Sequence, residues 1–237
     1  MPESDVKVIG LWPSPFVMRA RIALNLKSVD YEFLEEKFGT KSELLLKSNP
    51  IHKKIPVLIH ENRPICESLV IVQYIDEVWT SGPSILPVNP YDRAIARFWA
   101  AYLDDKWYPL LSGLGKGLDK EAEAAIVDQV VQGLLPLEEA FESCSKGKSF
   151  FGGDHIGYLD IALGCFLGWV AAKEKMCGLK MLDREKTPLL AAWAERFRSN
   201  AAVKGLIPEP DRMIEFAKMV VAKMKAAAAA AAAAPPS

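Results

Sequence analysis

Two serines in this 237-residue chain stand where a hydroxyl could meet an anion. Ser14 lies in Leu11-Trp12-Pro13-Ser14-Pro15-Phe16, where an apolar stretch from Val6 to Trp12 gives way to a helical pattern carried by Ile22, Leu24 and Leu26. An apolar run of that kind suits a strand buried on both faces. Pro15 has the fixed φ of a first helical residue, and Ser14 fits the N-cap before it. A helix start offers unbonded N–H groups and the positive end of the macrodipole, which together favour an anion. On these residues alone two readings of Ser14 stay open, a helix cap and a donor to a bound anion. Cys66-Glu67-Ser68 precedes a second amphipathic helix, from about Leu69 to Trp79, and Ser68 repeats the Ser14 arrangement. Between the two, Lys54-Ile55-Pro56-Val57-Leu58-Ile59 reads as a strand entered through a proline. X-Pro bonds default to trans, so these residues by themselves make Pro56 trans. Lys41, Lys53 and Lys54 read as a solvated basic loop.

Composition narrows the function classes. Half the chain is hydrophobic, a quarter is charged and the net charge is -1, which fits one large folded domain or two smaller ones. No basic stripe interleaved with aromatics appears, so no nucleic-acid partner is expected. No apolar run reaches the roughly 18 residues of a membrane span, and Met1-Pro2-Glu3-Ser4-Asp5 is no basic-then-apolar signal, so a cytoplasmic protein away from membranes is expected. Cys66, Cys144, Cys165 and Cys177 form no C-x-x-C pair and read as buried small hydrophobes. His52, His60 and His155 lack metal-ligand spacing and read as solvated loop or turn residues, so no metal is expected.

The elements that must position these residues change character near residue 85. Before it, the pattern predicts a strand over Val6 to Trp12, helix from Pro15 to about Lys27, strand Tyr31 to Glu35, helix Lys41 to Lys47, a hairpin from Val57 to Ile65 and the helix after Ser68. This β-α-β unit followed by β-β-α predicts one mixed sheet with helices on its faces. The prolines of Thr80 to Pro90 mark a linker. Beyond it only helical periods remain, over Asp92 to about Leu114, Glu121 to Ser145, Tyr158 to Lys175, Pro188 to Arg198 and Arg212 onward, with Pro109 and Pro136 expected to kink or interrupt their helices. Gly157 fits an N-cap with Asp160 at N3 and Ile156 stapled onto Ile161. The expected division is an α+β domain over 1–82, a linker over 83–91, an all-helical domain over 92–225 and an Ala-rich tail over 226–237 without chemistry of its own.

Trp12-Pro13-Ser14-Pro15-Phe16, Lys41 to Pro50, His52 to Leu58, Glu67-Ser68, Ala96-Arg97-Phe98-Trp99, Phe150 to Asp154 and Thr187 to Trp193 follow one another in an order that resembles the cytosolic glutathione transferases, most of all the plant tau class. The resemblance covers nearly the whole chain. It implies a thioredoxin-like first domain, an all-helical second domain, a homodimer, and conjugation of glutathione to hydrophobic electrophiles in detoxification or stress response, with peroxidase activity compatible. Glutathione would be a co-substrate, with no permanently bound cofactor.

On that resemblance Ser14 is the catalytic residue. A thiol of pKa near 8.5 is mostly protonated at neutral pH, and lowering it by about two units takes roughly 2.7 kcal/mol. One hydroxyl hydrogen bond to a charged group contributes about 1.5–3 kcal/mol and a helix N-terminus about 0.3–1, so a serine there suffices. The resemblance assigns Ser68 to the γ-glutamyl carboxylate, Glu67 to the ammonium beside it, and Lys41 and Lys54 to the glycyl carboxylate. It assigns the cysteinyl backbone to Ile55 and implies a cis Ile55-Pro56 bond. For the electrophile, position relative to the family singles out Trp12, Pro15, Phe16, Tyr108, Leu111, Trp169 and Phe216. Two other functions share the fold: a non-catalytic carrier of hydrophobic ligands, and a thiol transferase or dehydroascorbate reductase, which needs a cysteine where Ser14 stands.

Overall fold

In the computed structural model, which describes residues 5–115 and 119–233, the chain opens with β1 (Val6–Gly10), α1 (Pro15–Leu26), β2 (Glu32–Glu35), α2 (Glu43–Ser48), β3 (Val57–His60), β4 (Arg63–Cys66) and α3 (Ser68–Val78). This is the expected β-α-β-α-β-β-α order. The strands form one sheet, β2-β1-β3-β4, with β2 parallel to β1, β3 antiparallel to β1 and β4 antiparallel to β3. Successive side chains of a strand leave on opposite faces. Val8 and Leu58 accordingly join α1 and α3 in a core continuous with the helical half, whereas Ile9, Val57 and Ile59 face a small cluster with Leu45 of α2.

β1 ends two residues before the expected Trp12. At Gly10 the returning α1 packs so close that a Cβ would stand 2.5 Å from a Val17 methyl, and the chain turns at once, with Ser14 N–H bonded to Leu11 O at 3.0 Å. α2 begins at Glu43 rather than Lys41, because Ser42 is its cap and accepts from Leu45 N–H at 3.0 Å.

The helical half comprises α4 (Pro90–Tyr102), α5 (Tyr108–Gly113), α6 (Lys120–Ser145), α7 (Tyr158–Gly164), α8 (Leu167–Cys177), α9 (Pro188–Ser199) and α10 (Pro210–Ala233). α4 starts inside the expected linker, since Asn89 Oδ1 caps it by accepting from Tyr91 and Asp92 N–H. The expected single helix over Asp92 to Leu114 is divided by a π turn, Leu103–Trp107. Pro109 has no N–H to return to Asp105, and the turn widens so that Tyr108 N–H reaches Leu103 O instead. Pro136 does not interrupt α6. Its preceding turn is gripped from α4 and the π turn, by Tyr102 Oη on Gly133 O at 2.9 Å and Trp107 Nε1 on Val130 O at 3.0 Å. The helix expected over Tyr158 to Lys175 is two helices, parted by a turn at Cys165 and Phe166.

At the start of α7 the expected cap is present. Asp160 is fully buried and accepts from the N–H groups of Gly157, Gly152 and Phe151 and from Trp193 Nε1, at 2.7–2.9 Å. Burial pushes its carboxyl up to about 6 against the pull of these four donors. The far ends of α1 and α3 are joined by Lys27 Nζ and Asp76 at 2.7 Å, and Asp76 also accepts from Ile85 and Leu86 N–H in the linker. α10 carries on through the first part of the expected Ala-rich tail to Ala233, and 234–237 lie outside the described residues.

Two readings of single residues need correction. His60 is no loop residue: it ends β3 half-buried, with Nδ1 2.8 Å from Tyr74 Oη and its ring against Trp79. Of the four cysteines, all free thiols, only Cys165 is fully buried, and Cys66, Cys144 and Cys177 are half-buried.

Candidate active site

The strand register collects the predicted residues at one end of the sheet. Gly10 pairs with Glu35, and Ile9 with Val57, which pairs in turn with Cys66. The segments that follow β1, β2 and β4 and the one that precedes β3 therefore emerge together. They carry Ser14, Lys41, Glu67-Ser68 and Lys54-Ile55-Pro56, and both α1 and α3 begin there. Two helix N-termini thus meet at a single edge, where anions are favoured.

Ser14 caps α1 as expected, with extended backbone, Pro15 at the first helical position and Oγ accepting from Val17 N–H at a long 3.4 Å. Ser68 does not repeat this geometry. Glu67 occupies the cap position of α3 with φ +70°, a strained region for a side chain other than glycine, while Ser68 is the first helical residue and is buried. The Ser68 hydroxyl accepts from Arg19 Nη1 at 3.2 Å. The Glu67 carboxylate is largely exposed and lies 3.9 Å from His52 Nε2.

The Ile55-Pro56 bond is cis, as the resemblance implied and against the default for the dipeptide. Buried Asn49 shapes the approach to it, donating to Lys54 O at 2.9 Å and accepting from His52 N–H at 3.1 Å. Lys41 and Lys54 are exposed. Lys41 precedes Ser42, whose N–H and hydroxyl are both held by the Glu36 carboxylate.

The seven residues expected to receive an electrophile separate into groups. Tyr108, Leu111 and Trp169 line one cavity of about 170 Å³ together with Ser112 and Lys173. Phe16 meets the Tyr108 ring edge-on at 5.2 Å, and Tyr108 stacks on Phe166 at 5.0 Å. Trp169 Nε1 donates to Pro13 O at 2.9 Å, which ties this cavity to the turn that presents Ser14. Burial pushes the Tyr108 phenol above its ordinary value. Trp12 and Phe216 are not on this cavity's lining. They form an aromatic ladder with Phe38, at 5.5 and 5.4 Å, that lays α10 beside the β2–α2 loop, with Arg212 4.0 Å above Trp12. Pro15 is buried and does not line the cavity.

Sequence patterning missed Arg19. Fully buried, it donates to Asp104 through both Nη atoms at 2.8 and 2.6 Å, and to Ser68 Oγ and Ala162 O. A signal was present: Pro15, Arg19, Ile22 and Leu26 share one helix face, so the arginine interrupts an apolar stripe and requires a buried partner. Asp104 carries no such mark, because only the π turn directs it inward.

Residues 4–77 match the model of the glutathione S-transferase N-terminal domain, and 98–201 that of the C-terminal domain. Glutathione S-transferase U17 of Arabidopsis thaliana is 60% identical, over 95% of this chain and all of its own length. The crystal structure of a tau class glutathione S-transferase from mango, Mangifera indica, is 64% identical with a TM-score of 0.87, covering 91% of this chain and 98% of that one. The chain belongs to the tau class of the glutathione S-transferases. A second crystal structure, rice GST1 in complex with glutathione, is 38% identical with a TM-score of 0.83 and covers 92% of this chain and 98% of its own. The glutathione S-transferase fold, a four-stranded mixed sheet with helices followed by a helical half, is thus shared throughout.

Proposed function

We propose that this chain conjugates glutathione to hydrophobic electrophiles, with Ser14 as the residue that stabilises the thiolate. The carrying observation is the position of Ser14: its hydroxyl takes one long bond as an acceptor at the start of α1, which leaves its proton for a sulfur at that helix end. Serine keeps its proton throughout. It donates a hydrogen bond, the sulfur attacks the electrophile, and the leaving group or the electrophile's own carbanion takes up the charge.

Around that sulfur, the edge where β1, β3 and β4 meet supplies Ser68 and the α3 N-terminus for the γ-glutamyl carboxylate, Glu67 for the ammonium and the exposed Lys41 and Lys54 for the glycyl carboxylate. Ile55, held beside the cis bond, is the backbone partner of the cysteinyl unit. The cavity of Tyr108, Leu111 and Trp169 receives the electrophile, and Phe16 supports its wall. Trp12, Pro15 and Phe216 bound the site without lining that cavity. Organic hydroperoxides are a further substrate class for the same thiolate, and clearance of reactive compounds in the cytosol is the physiological role. The working division of the chain is 1–82 for glutathione, 83–91 as linker, 92–225 for the electrophile and 226–237 as tail.

Assembly is a homodimer. Tyr91 and Phe98 stand seven residues apart on one exposed face of α4, and Val70 on α3 is also exposed, large apolar side chains that a second copy would cover. A monomeric mass at micromolar concentration would refute this.

Ser14→Ala tests the central reading. Loss of a hydrogen bond to a charged sulfur lowers kcat for 1-chloro-2,4-dinitrobenzene by roughly 10- to 100-fold while the KM for glutathione changes little. Full activity in the variant would remove Ser14 from the mechanism.

A further inference from the structure

The cavity of Tyr108, Leu111 and Trp169 has two unlike ends. α5 leaves the Ser14 side at Tyr108, which meets Phe16, and stops at Leu114. α8 carries Trp169, bonded to Pro13 O, and one turn farther on Lys173, whose ammonium donates to Leu114 O. Residues four apart on a helix share a face, and both Trp169 and Lys173 line the cavity. The two helices therefore lead from the turn that presents Ser14 to Lys173, and the space between them ends on a positive charge.

That ammonium is seated by its surroundings as well as by Leu114. Its Nζ lies 5.8 Å from the centre of the Trp169 ring, within cation–π range. A Cβ on Gly115 would stand 3.2 Å from it, so a glycine in the left-handed region at 115, φ +76°, keeps the seat open. Leu114 O is a neutral partner, and the bond to it fixes where the ammonium stands. Ser112 also faces the cavity, but its hydroxyl donates its proton to Pro109 O at 3.0 Å. Among the described residues of the lining, Lys173 is the one that carries a charge. Without it this end presents the closing carbonyls of α5, which repel an anion.

Given that the cavity receives the electrophile, as proposed above, we propose that Lys173 is its specificity-determining residue and selects aromatic electrophiles that carry a carboxylate opposite the reacting carbon. At about 170 Å³ the space takes one ring, since a cavity of about 150 Å³ holds benzene. The ring lies between Tyr108 and Trp169, the carbon under attack faces the Ser14 side, and the carboxylate meets Lys173. With 4-chloro-3-nitrobenzoate, glutathione gives its thiol proton to solvent, the sulfur forms a bond to the chlorine-bearing carbon, and chloride leaves with the bonding pair. The carboxylate itself is unchanged.

The test pairs 4-chloro-3-nitrobenzoate with its neutral isostere, 4-chloro-3-nitrobenzamide. Each is titrated as a competitor of 1-chloro-2,4-dinitrobenzene at saturating glutathione, so that slow turnover of the competitor does not matter. In the parent the benzoate binds about tenfold tighter than the benzamide. Lys173→Gln keeps an N–H for Leu114 O and drops the charge; it raises the inhibition constant of the benzoate about tenfold, as for loss of one charge-assisted hydrogen bond, and that of the benzamide less than twofold. Lys173→Arg keeps the benzoate within about threefold of the parent. An equal rise for both competitors in Lys173→Gln would make Lys173 a prop for the end of α5 and overturn the proposal, as would an unchanged benzoate constant or a parent that prefers the benzamide. A parent that fails to conjugate 1-chloro-2,4-dinitrobenzene would instead refute conjugation itself, an outcome visible before any competitor is added.

Discussion

The two helix starts that meet at one end of the sheet are built on opposite plans. Ser14 lies outside α1 as its cap, half-buried, bonded once and weakly. Ser68 lies inside α3, buried, with its hydroxyl tied to Arg19, which is clamped by Asp104 from the helical half. One serine is left available to a ligand, and the other belongs to a buried network linking both halves of the chain. A position that must meet a changing charge is kept out of the core, whereas the position beside it is fixed by the core. The contrast predicts that side-chain deletions along these helices rank very differently for folding and for catalysis, and urea unfolding provides a common scale.

Asp104→Ala gives the largest effect. It leaves the Arg19 guanidinium fully buried against neutral groups such as Ser68 Oγ and Ala162 O, and removing one partner of such a pair costs about 3 kcal/mol or more. The urea midpoint falls accordingly. A midpoint within error of the parent would mean that the network on the Ser68 side carries no stability, and the contrast would collapse.

Asp76→Asn sharpens the comparison from the other end of the same helices, with a loss of about 2 kcal/mol from an almost fully buried pair that keeps part of its hydrogen bonding. Burial pushes the Asp76 carboxyl up, but Ile85 N–H, the Lys27 ammonium and Leu86 N–H outweigh it and hold it below the ordinary carboxylate range. A depressed folded value means that this contribution is complete above the unfolded pKa near 3.9 and disappears as pH falls through the folded value. The gap between parent and variant is therefore constant from neutrality to about pH 5 and closes in acid. A gap that widened on acidification would reverse the assigned sign. Conjugation kinetics stay unchanged, since the pair lies a helix length from Ser14.

The difference between the two serines was only half legible in the sequence. Ser14 is flanked by prolines and follows an apolar run, so local propensity and position agree, and the cap is where the pattern puts it. The succession of elements along the first half and the cap of α7 are likewise matters of local pattern. Ser68 was read as a cap because a serine before an apolar stripe usually is one. The strained φ of Glu67 and the arrival of Arg19 moved it inside the helix, and both depend on packing against α1 and the π turn rather than on neighbours in the chain. Pro109 and Pro136 show the same limit. The first widens a turn and the second is absorbed in a helix whose preceding carbonyls are gripped by side chains from α4 and the π turn. Trp12 and Phe216 illustrate it for the site: aromatic identity was visible, but their pairing with Phe38 follows from where α10 crosses the β2–α2 loop.

Ser68→Ala should destabilise by about 1.5 kcal/mol, the low end for one hydrogen bond to a charged group, because Arg19 keeps its other partners. Its functional effect is separate: KM for glutathione rises about fivefold with kcat nearly unchanged, as for a contact made equally in the bound and transition states. An unchanged KM would take Ser68 out of the glutathione site and leave it a purely structural residue.

Ser14→Ala should be the least damaging of the four to folding, at about 0.5 kcal/mol, because the cap bond it removes is already stretched to 3.4 Å and Val17 N–H can turn to water at a half-exposed helix end. Yet the same substitution carries the largest expected loss of turnover. This inversion is the sharpest form of the contrast: the side chain that contributes least to the fold contributes most to the chemistry, since a hydroxyl engaged in holding the protein together has no proton left to offer a sulfur. If Ser14→Ala unfolded as readily as Asp104→Ala, its loss of activity would report lost structure, and the thiolate would need another donor at the same edge.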